Sequence, residues 1–178
     1  MSTGQLVMVL AGLAAAAVLY SVLIGSLRRR RRLSLLGPEA PSLTLEGHTY
    51  RDLNKNGRLD PYEDSRLPVE DRVEDLLSQM TIEEKVGLMF HPMIGMRKNG
   101  ELQESRIGMS PVPTSEYLVE RKINHFNLYQ ITTLKHTAEW HNRLQKMAER
   151  TRLGIPATLS SDPRHSFGSM IGTTMYTE

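Results

Sequence analysis

TRLGIPATLSSDPRHSF, Thr151 to Phe167, is a short apolar run that stops abruptly at a cluster of polar groups. Ile155, Ala157 and Leu159 lie between Gly154-Ile155-Pro156 and Asp162-Pro163 and follow a long helical pattern. A run of this kind reads as a buried strand of a parallel sheet. At the carboxyl end of such a strand the side chains leave the core, and in α/β folds ligands bind along that edge. Ser160, Ser161, Asp162, Arg164 and His165 fall there.

Working back toward the N-terminus, Thr133 caps a helix expected to run to about Thr151. Its apolar stripe is Leu134, Ala138, His141, Leu144, Met147 and Ala148, with Trp140 at the stripe's edge. His136 and His141 do not form a metal pair, because their spacing leaves one helix face and no HExxH pattern occurs. Ile123 to Ile131, INHFNLYQI, alternates apolar and polar residues and reads as a strand. His91 to Tyr117 carries Gly, Pro and Ser without a period and reads as a long loop, either a lid or simply irregular.

Further back, Val69, Val73, Leu76, Leu77 and Met80 recur at helical spacing. Thr81-Ile82-Glu83-Glu84 is a capping box that opens a second helix to about Met89, expected to bury Ile82, Val86, Leu88 and Met89. The acidic residues opposite these stripes read as solvated faces without chemistry. The order helix, helix, strand, helix, strand is the start of an α/β fold.

Asp52 to Glu63, DLNKNGRLDPYE, has a specific spacing. A twelve-residue EF-hand loop supplies calcium with oxygens from positions 1, 3, 5, 7, 9 and 12 and turns sharply on a Gly at position 6. Those positions hold Asp52, Asn54, Asn56, the backbone carbonyl of Arg58, Asp60 and Glu63, with Gly57 at the turn. The spacing predicts a structural calcium site of modest affinity, since only three carboxylates contribute. The alternative is an Asx-rich turn without metal. His48-Thr49-Tyr50 does not resemble the incoming helix of a paired hand.

Leu6 to Leu27 is a run of 22 residues without a charge, followed by five arginines, Arg28 to Arg32. That length crosses a bilayer as a helix. Met1 to Gln5 lacks the basic start of a secretory signal, so residues 1–27 read as an uncleaved transmembrane anchor and 28–50 as a basic juxtamembrane linker, with the folded part after it. The arginines place that part on the cytoplasmic side by the positive-inside rule.

Net charge is +2 at a sequence pI near 9.0. Much of the positive charge sits in one run, which argues against a nucleic-acid partner. There is no cysteine, which excludes disulfides and thiolate metal sites. With 178 residues the chain is too short for a closed eight-stranded barrel, which takes about 250 residues.

Taken together, DLNKNGRLDPYEDSRLPVEDRVEDLLSQMTIEEKVGLMF, INHFNLYQ and AEWHNRLQKMAERTRLGIPATLSSDPRHSF resemble the opening of family 3 of the glycoside hydrolases, the β-glucosidase-like enzymes. The resemblance covers Asp52 to about Phe167. It implies that residues 51–178 are the beginning of a (β/α)8 barrel of the TIM type, incomplete here, which in the family precedes a second α/β domain. It implies hydrolysis of β-glucosides with retention, by a nucleophilic carboxylate and an acid/base about 5 to 5.5 Å apart. In the family both carboxylates come later than any residue of this chain, so no catalytic residue is expected here. Asp162 matches the aspartate after the first barrel strand that accepts hydrogen bonds from sugar hydroxyls. Arg164 and His165 share its loop and either line the pocket or brace Asp162; for Arg164 a structural pair with Asp162 is an equal alternative.

After Phe167 the stretch GSMIGTTMYTE departs from the family pattern. The expectation is an N-terminal fragment or frameshifted end, inactive alone, with strand edges and apolar helix faces uncovered. The rival expectation is a membrane-tethered calcium-binding interaction module without catalysis. Glycosidases of this kind usually meet substrate outside the cytoplasm, so the side of the membrane is open between resemblance and arginine run.

Overall fold

A computed structural model of the chain describes residues 2–105, 110, 112–128 and 132–160. Its centre is a helix packed on a parallel sheet. The helix is α4, Leu134–Glu149, and it starts where Thr133 Oγ1 accepts from the His136 N–H at 3.2 Å. That bond satisfies one of the donors every helix start leaves free. Trp140, Leu144 and Ala148, spaced four apart on one face, are completely buried.

They pack on strands β3 (Met93–Ile94), β4 (His125–Leu128) and β5 (Thr158–Ser160), which form a parallel sheet in the order β3-β4-β5. The register pairs Ile94 with Leu128 and Phe126 with Leu159, so one face carries Ile94, Phe126, Leu128, Ala157 and Leu159 into the core. Tyr117, Leu118, Val119 and Ile123 close that core from the side. Tyr117 meets Phe126 edge to face, with ring centroids 5.6 Å apart. The mixed α/β class expected from the sequence is the class found.

Several expectations are corrected in detail. The loop predicted over His91 to Tyr117 contains β3 and ends in a buried π-helical turn, Glu116–Glu120, so the sheet has three strands where the sequence offered two. The strand expected over Ile123 to Ile131 is His125–Leu128, and Tyr129 to Ile131 lie outside the described residues. In α4 the phase of the stripe is set by Trp140, the largest side chain available to bury. Trp140 is therefore at the centre of the core, while Leu134, Ala138 and His141 face solvent.

Helices α2 (Val69–Gln79) and α3 (Ile82–Gly87) form close to their expected bounds, and both bonds of the Thr81–Glu84 capping box are made. Their apolar faces are uncovered. Ile82 is 68% and Met89 82% exposed, and Val69, Val73, Leu77 and Val86 are exposed as well, against the expected burial of Ile82, Val86 and Met89. The reason is geometric: α2 lies on the short 3₁₀ turn Pro61–Glu63, and the close approach of α3 is made by Gly87. A Cβ on Gly87 would stand 2.2 Å from the Lys122 carbonyl oxygen, so only glycine fits there.

Residues 28–50, expected as a juxtamembrane linker, contain helical and hairpin structure. Helix α1, Thr3–Ser34, runs straight through the arginines, and its last turn packs on the domain. Arg32 is 3% exposed; it donates to Ser115 Oγ at 2.9 Å and pairs with Glu116 at 3.6 Å. Gly37 exchanges hydrogen bonds with Arg150, and the Ala40 N–H donates to Glu149. Strands β1 (Ser42–Leu45) and β2 (His48–Arg51) then form an antiparallel hairpin. Glu46 and Gly47, both at positive φ, make the two-residue turn that such a hairpin requires. The apolar part of α1 is exposed and has a mean hydropathy of 2.5, long and apolar enough to cross a membrane; a signal sequence shares that property.

Candidate functional site

Strand register decides what the open face of the sheet presents. Met93, Asn127 and Ser160 stand level across β3, β4 and β5, and His125 stands level with Thr158. Their neighbours along each strand point into the core, so these side chains point to the face opposite α4. Parallel sheets are normally covered on both faces. Here one face is packed by α4, and the other carries Met93 and the polar side chains of His125, Asn127, Thr158 and Ser160, half-buried or exposed. Two features mark that face. His91 Nε2 and Ser160 Oγ are hydrogen-bonded at 2.9 Å, and Asn127 Oδ1 is buried without a hydrogen-bond partner among the described residues. Neither was legible in the sequence, because both depend on which strands are neighbours.

All three strands run in the same direction, so Ile94, Leu128 and Ser160 end at one edge. The strand expected from Ile155 is found only over Thr158–Ser160, with Leu159 half-buried and its two neighbours exposed, and it delivers the chain to that edge at Ser160. Ser161, Asp162, Arg164 and His165, the expected sugar-gripping residues, lie outside the described residues.

The second candidate is the loop Asp52 to Glu63, and the structure brings its expected ligands together. Asp52 is buried, and its two oxygens accept from the Asn56 N–H at 3.0 Å and the Gly57 N–H at 2.8 Å. Gly57 has φ +78°, as the turn requires. Glu63 Oε1 accepts from the N–H of Leu53 at 2.6 Å and of Asn54 at 3.2 Å, and Oε2 accepts from Asp60 N–H at 3.2 Å. Asn54 and Asn56 both donate Nδ2 to Asp60 Oδ2, at 2.5 and 2.6 Å. Arg58 gives its N–H to Asn56 Oδ1 at 2.8 Å.

The donor chemistry suits a hard cation, with three carboxylates and two amide oxygens on a twelve-residue turn. The geometry is that of a loop satisfied by its own N–H groups. Two amide N–H₂ groups converge on Asp60, and among the described residues no three His, Cys, Asp or Glu side chains form a metal-holding group.

What the spacing did not announce is how the loop is fastened. Lys55, at φ +62°, donates Nζ to the carbonyls of Glu149 and Thr151 at 2.5 and 2.8 Å, placing a cation on the C-terminal end of α4, where the helix dipole is negative. Burial holds its amine below the usual value, against the pull of Asp52 and Glu63. Tyr62 donates its hydroxyl to the Leu153 carbonyl at 3.2 Å, and burial, reinforced by Glu63, pushes that hydroxyl above the usual phenol range. Gly154, at φ +59°, lets the chain pass where a Cβ would meet Leu53 O at 2.8 Å. The loop is thereby clamped to the turn between α4 and β5, and it fixes where β5 begins.

Comparison with known proteins gives a consistent picture. The chain is 40% identical over 141 residues, 76% of its length, to a periplasmic β-glucosidase/β-xylosidase of Dickeya chrysanthemi. It is 45% identical over 114 residues (63% of its length) to a probable β-glucosidase C of Aspergillus flavus. To a β-glucosidase C of Emericella nidulans it is 42% identical over 123 residues, 68% of its length. No protein-family profile matches the chain. The chain spans about a fifth of the length of these relatives, 21%, 18% and 19% respectively. The resemblance read from the residues and these similarities point to the same class of protein.

Proposed function

We infer that this chain, 40 to 45% identical to β-glucosidases over most of its length, is an N-terminal segment of a glycoside hydrolase of family 3. In this reading the whole enzyme hydrolyses β-glucosides with retention of configuration. The chain supplies the opening strands and helices of its (β/α)8 barrel. The observation that carries it is the in-register parallel sheet, packed by α4 on one face and polar on the other. Barrel strands have this two-sidedness, with helices outside and interior-facing residues alternating along each strand. The uncovered apolar faces of α2 and α3 support it as well, since a barrel's remaining helices would cover such surfaces.

The chain's own chemical contribution is to bind. β5 ends at the sheet edge, and Asp162, two residues on in sequence, is the proposed acceptor of hydrogen bonds from hydroxyls of the sugar ring, with Arg164 and His165 in the same stretch of sequence as further binding residues. The nucleophile and the acid/base belong to later parts of the enzyme. The 178-residue chain is therefore expected to show no turnover of an aryl β-glucoside. Measurable hydrolysis by the purified chain would mean that the two carboxylates have been assigned to the wrong part of the protein.

Helix α1 is read as an uncleaved anchor. The burial of Arg32 supports this, because the helix is built into the domain where a signal sequence would be severed from it. Labelling of a single cysteine at Ser42 (S42C) in intact cells reads the side of the membrane.

Calcium is proposed at Asp52, Asn54, Asn56, Asp60 and Glu63, with the Arg58 carbonyl. Turning the two Asn amides would exchange their N–H₂ groups for oxygens, and the charge the ion supplies would replace the two donors on Asp60. Its role would be structural, holding the loop against the start of β5. Titration calorimetry should show binding by the wild type that Glu63→Gln removes. Absence of heat with the wild type would leave the Asx-rich turn as the full description of the loop and would remove the rival reading of a calcium-binding module.

A further inference from the structure

Between α1 and Arg97, Glu104, Ser105, Pro113 and Glu116 of the domain lies a groove of about 850 Å³ that neither the glycosidase reading nor the similarities account for. Its lower wall is uncharged, with Tyr20, Val22 and Ile24 on the helix interspersed with Ser21, Gly25 and Ser26. Its upper part is ringed by guanidinium groups, Arg28, Arg29 and Arg32 from the helix and Arg97 from the domain. Two carboxylates face them, Glu104 and Glu116. Both are already engaged: Glu104 pairs with Arg29 at 3.8 Å and accepts from the Ser115 N–H at 3.1 Å, and Glu116 pairs with Arg32 at 3.6 Å and Arg121 at 2.7 Å. Arg28 and Arg97 have no carboxylate partner among the described residues, so the groove holds two uncompensated positive charges from opposite walls.

The groove's height is set by the helix. The uncharged run Leu6 to Leu27 is about 33 Å long at the α-helical rise and matches a hydrocarbon core of about 30 Å. Arg28 then stands at the level of the lipid phosphates, and Tyr20, about 12 Å below it on the helix, stands among the acyl chains. An uncharged slot beneath paired guanidiniums complements a phospholipid end to end. The guanidinium fork matches phosphate oxygens in pairs, and two spare charges favour a headgroup with net negative charge over a zwitterionic one.

We propose that this groove is a binding site for one anionic phospholipid, its phosphate held between Arg28 of the helix and Arg97 of the domain and its acyl chain along Tyr20 and Ile24. The proposal rests on α1 being a membrane anchor. The bound lipid would bridge anchor and domain beside the buried Arg32 contact and fix the angle at which the domain stands on the bilayer.

The test uses the full chain in nanodiscs of phosphatidylcholine containing phosphatidylglycerol, with the lipid retained after detergent extraction counted by native mass spectrometry. Arg97→Ala removes the domain side of the groove without touching the arginine run. Arg30→Ala removes an arginine of the run that does not line the groove. Retention of phosphatidylglycerol is expected to fall about fivefold or more in Arg97→Ala. It should change less than twofold in Arg30→Ala, and inorganic phosphate should not displace the lipid. Equal loss in both variants, or none in Arg97→Ala, would reduce the contact to diffuse attraction toward the basic run and overturn the site. Carbonate extraction of membranes carrying the wild type reads the anchor separately. Release of the chain there would overturn the anchor and the lipid site together, whereas a chain that stays in the membrane and fails the Arg97 comparison would overturn the lipid site alone.

Discussion

Asp162→Ala is expected to abolish most of the activity of a hybrid enzyme in which residues 52–167 replace the matching segment of the Dickeya chrysanthemi relative. A carboxylate that accepts from two sugar hydroxyls makes two charge-assisted hydrogen bonds, each contributing about 1.5 to 3 kcal/mol. Losing both corresponds to a fall in kcat/KM on the order of 10² to 10⁴. Asp162→Asn keeps the shape and one acceptor oxygen but not the charge, and should fall between wild type and alanine. The thermal midpoint of the hybrid should be little changed, as expected of a residue whose role is to bind substrate. A change in kcat/KM within threefold for Asp162→Ala would remove Asp162 from the sugar site and leave Arg164 and His165 without the partner they are read to brace.

Trp140→Ala should be the most damaging substitution for folding. The indole is wholly buried against a sheet face formed by Ile94, Phe126, Leu128 and Ala157. Truncating a buried Trp costs about 3 to 5 kcal/mol, a large part of the 5 to 15 kcal/mol that holds a typical domain together. Urea unfolding followed by circular dichroism should show the midpoint collapse. Trp140→Phe should cost much less than alanine. It leaves most of the ring's contacts and removes an indole N–H that has no acceptor among the described residues, a group that is costly to bury. A midpoint in Trp140→Ala close to wild type would place the stabilising core elsewhere than between α4 and the sheet.

These two residues also divide what the sequence made legible from what it did not. The strand around Leu159 was legible because its apolar run is short and is bounded by Gly154-Ile155-Pro156 on one side and Asp162-Pro163 on the other. The start of α4 was legible in Thr133, and the start of α3 in the capping box Thr81–Glu84, because a cap is a local bond between residues three apart. Strand β3 was hidden by its length, since two residues cannot show an alternation. The turn around Tyr117, Leu118 and Val119 buries three consecutive side chains and so has no period to find.

In α4 two phases of the stripe were available in the sequence. Leu134, Ala138 and His141 form one, and Trp140, Leu144 and Ala148 form the other, which wins because it buries the indole. The hairpin of β1 and β2 was masked by prolines on its flank, although Glu46-Gly47 is the dipeptide that turns it. In the loop Asp52 to Glu63 the side chains of Asp52, Asn54, Asn56, Asp60 and Glu63 are tied into the turn by hydrogen bonds, and the spacing could not say that the Asn amides would donate to Asp60 and not face a cation. The reading of Asp162 rests on family resemblance alone, and the residue lies outside the described residues.

The central claim is that this chain is the first part of a β-glucosidase barrel and supplies its sugar-binding edge. Hydrolysis of an aryl β-glucoside by the hybrid of residues 52–167 with the remainder of the Dickeya chrysanthemi relative tests it most directly. Turnover by the hybrid, with none from the 178-residue chain, is the expected result. A hybrid that folds with the relative's thermal midpoint and still leaves the glucoside intact would contradict it.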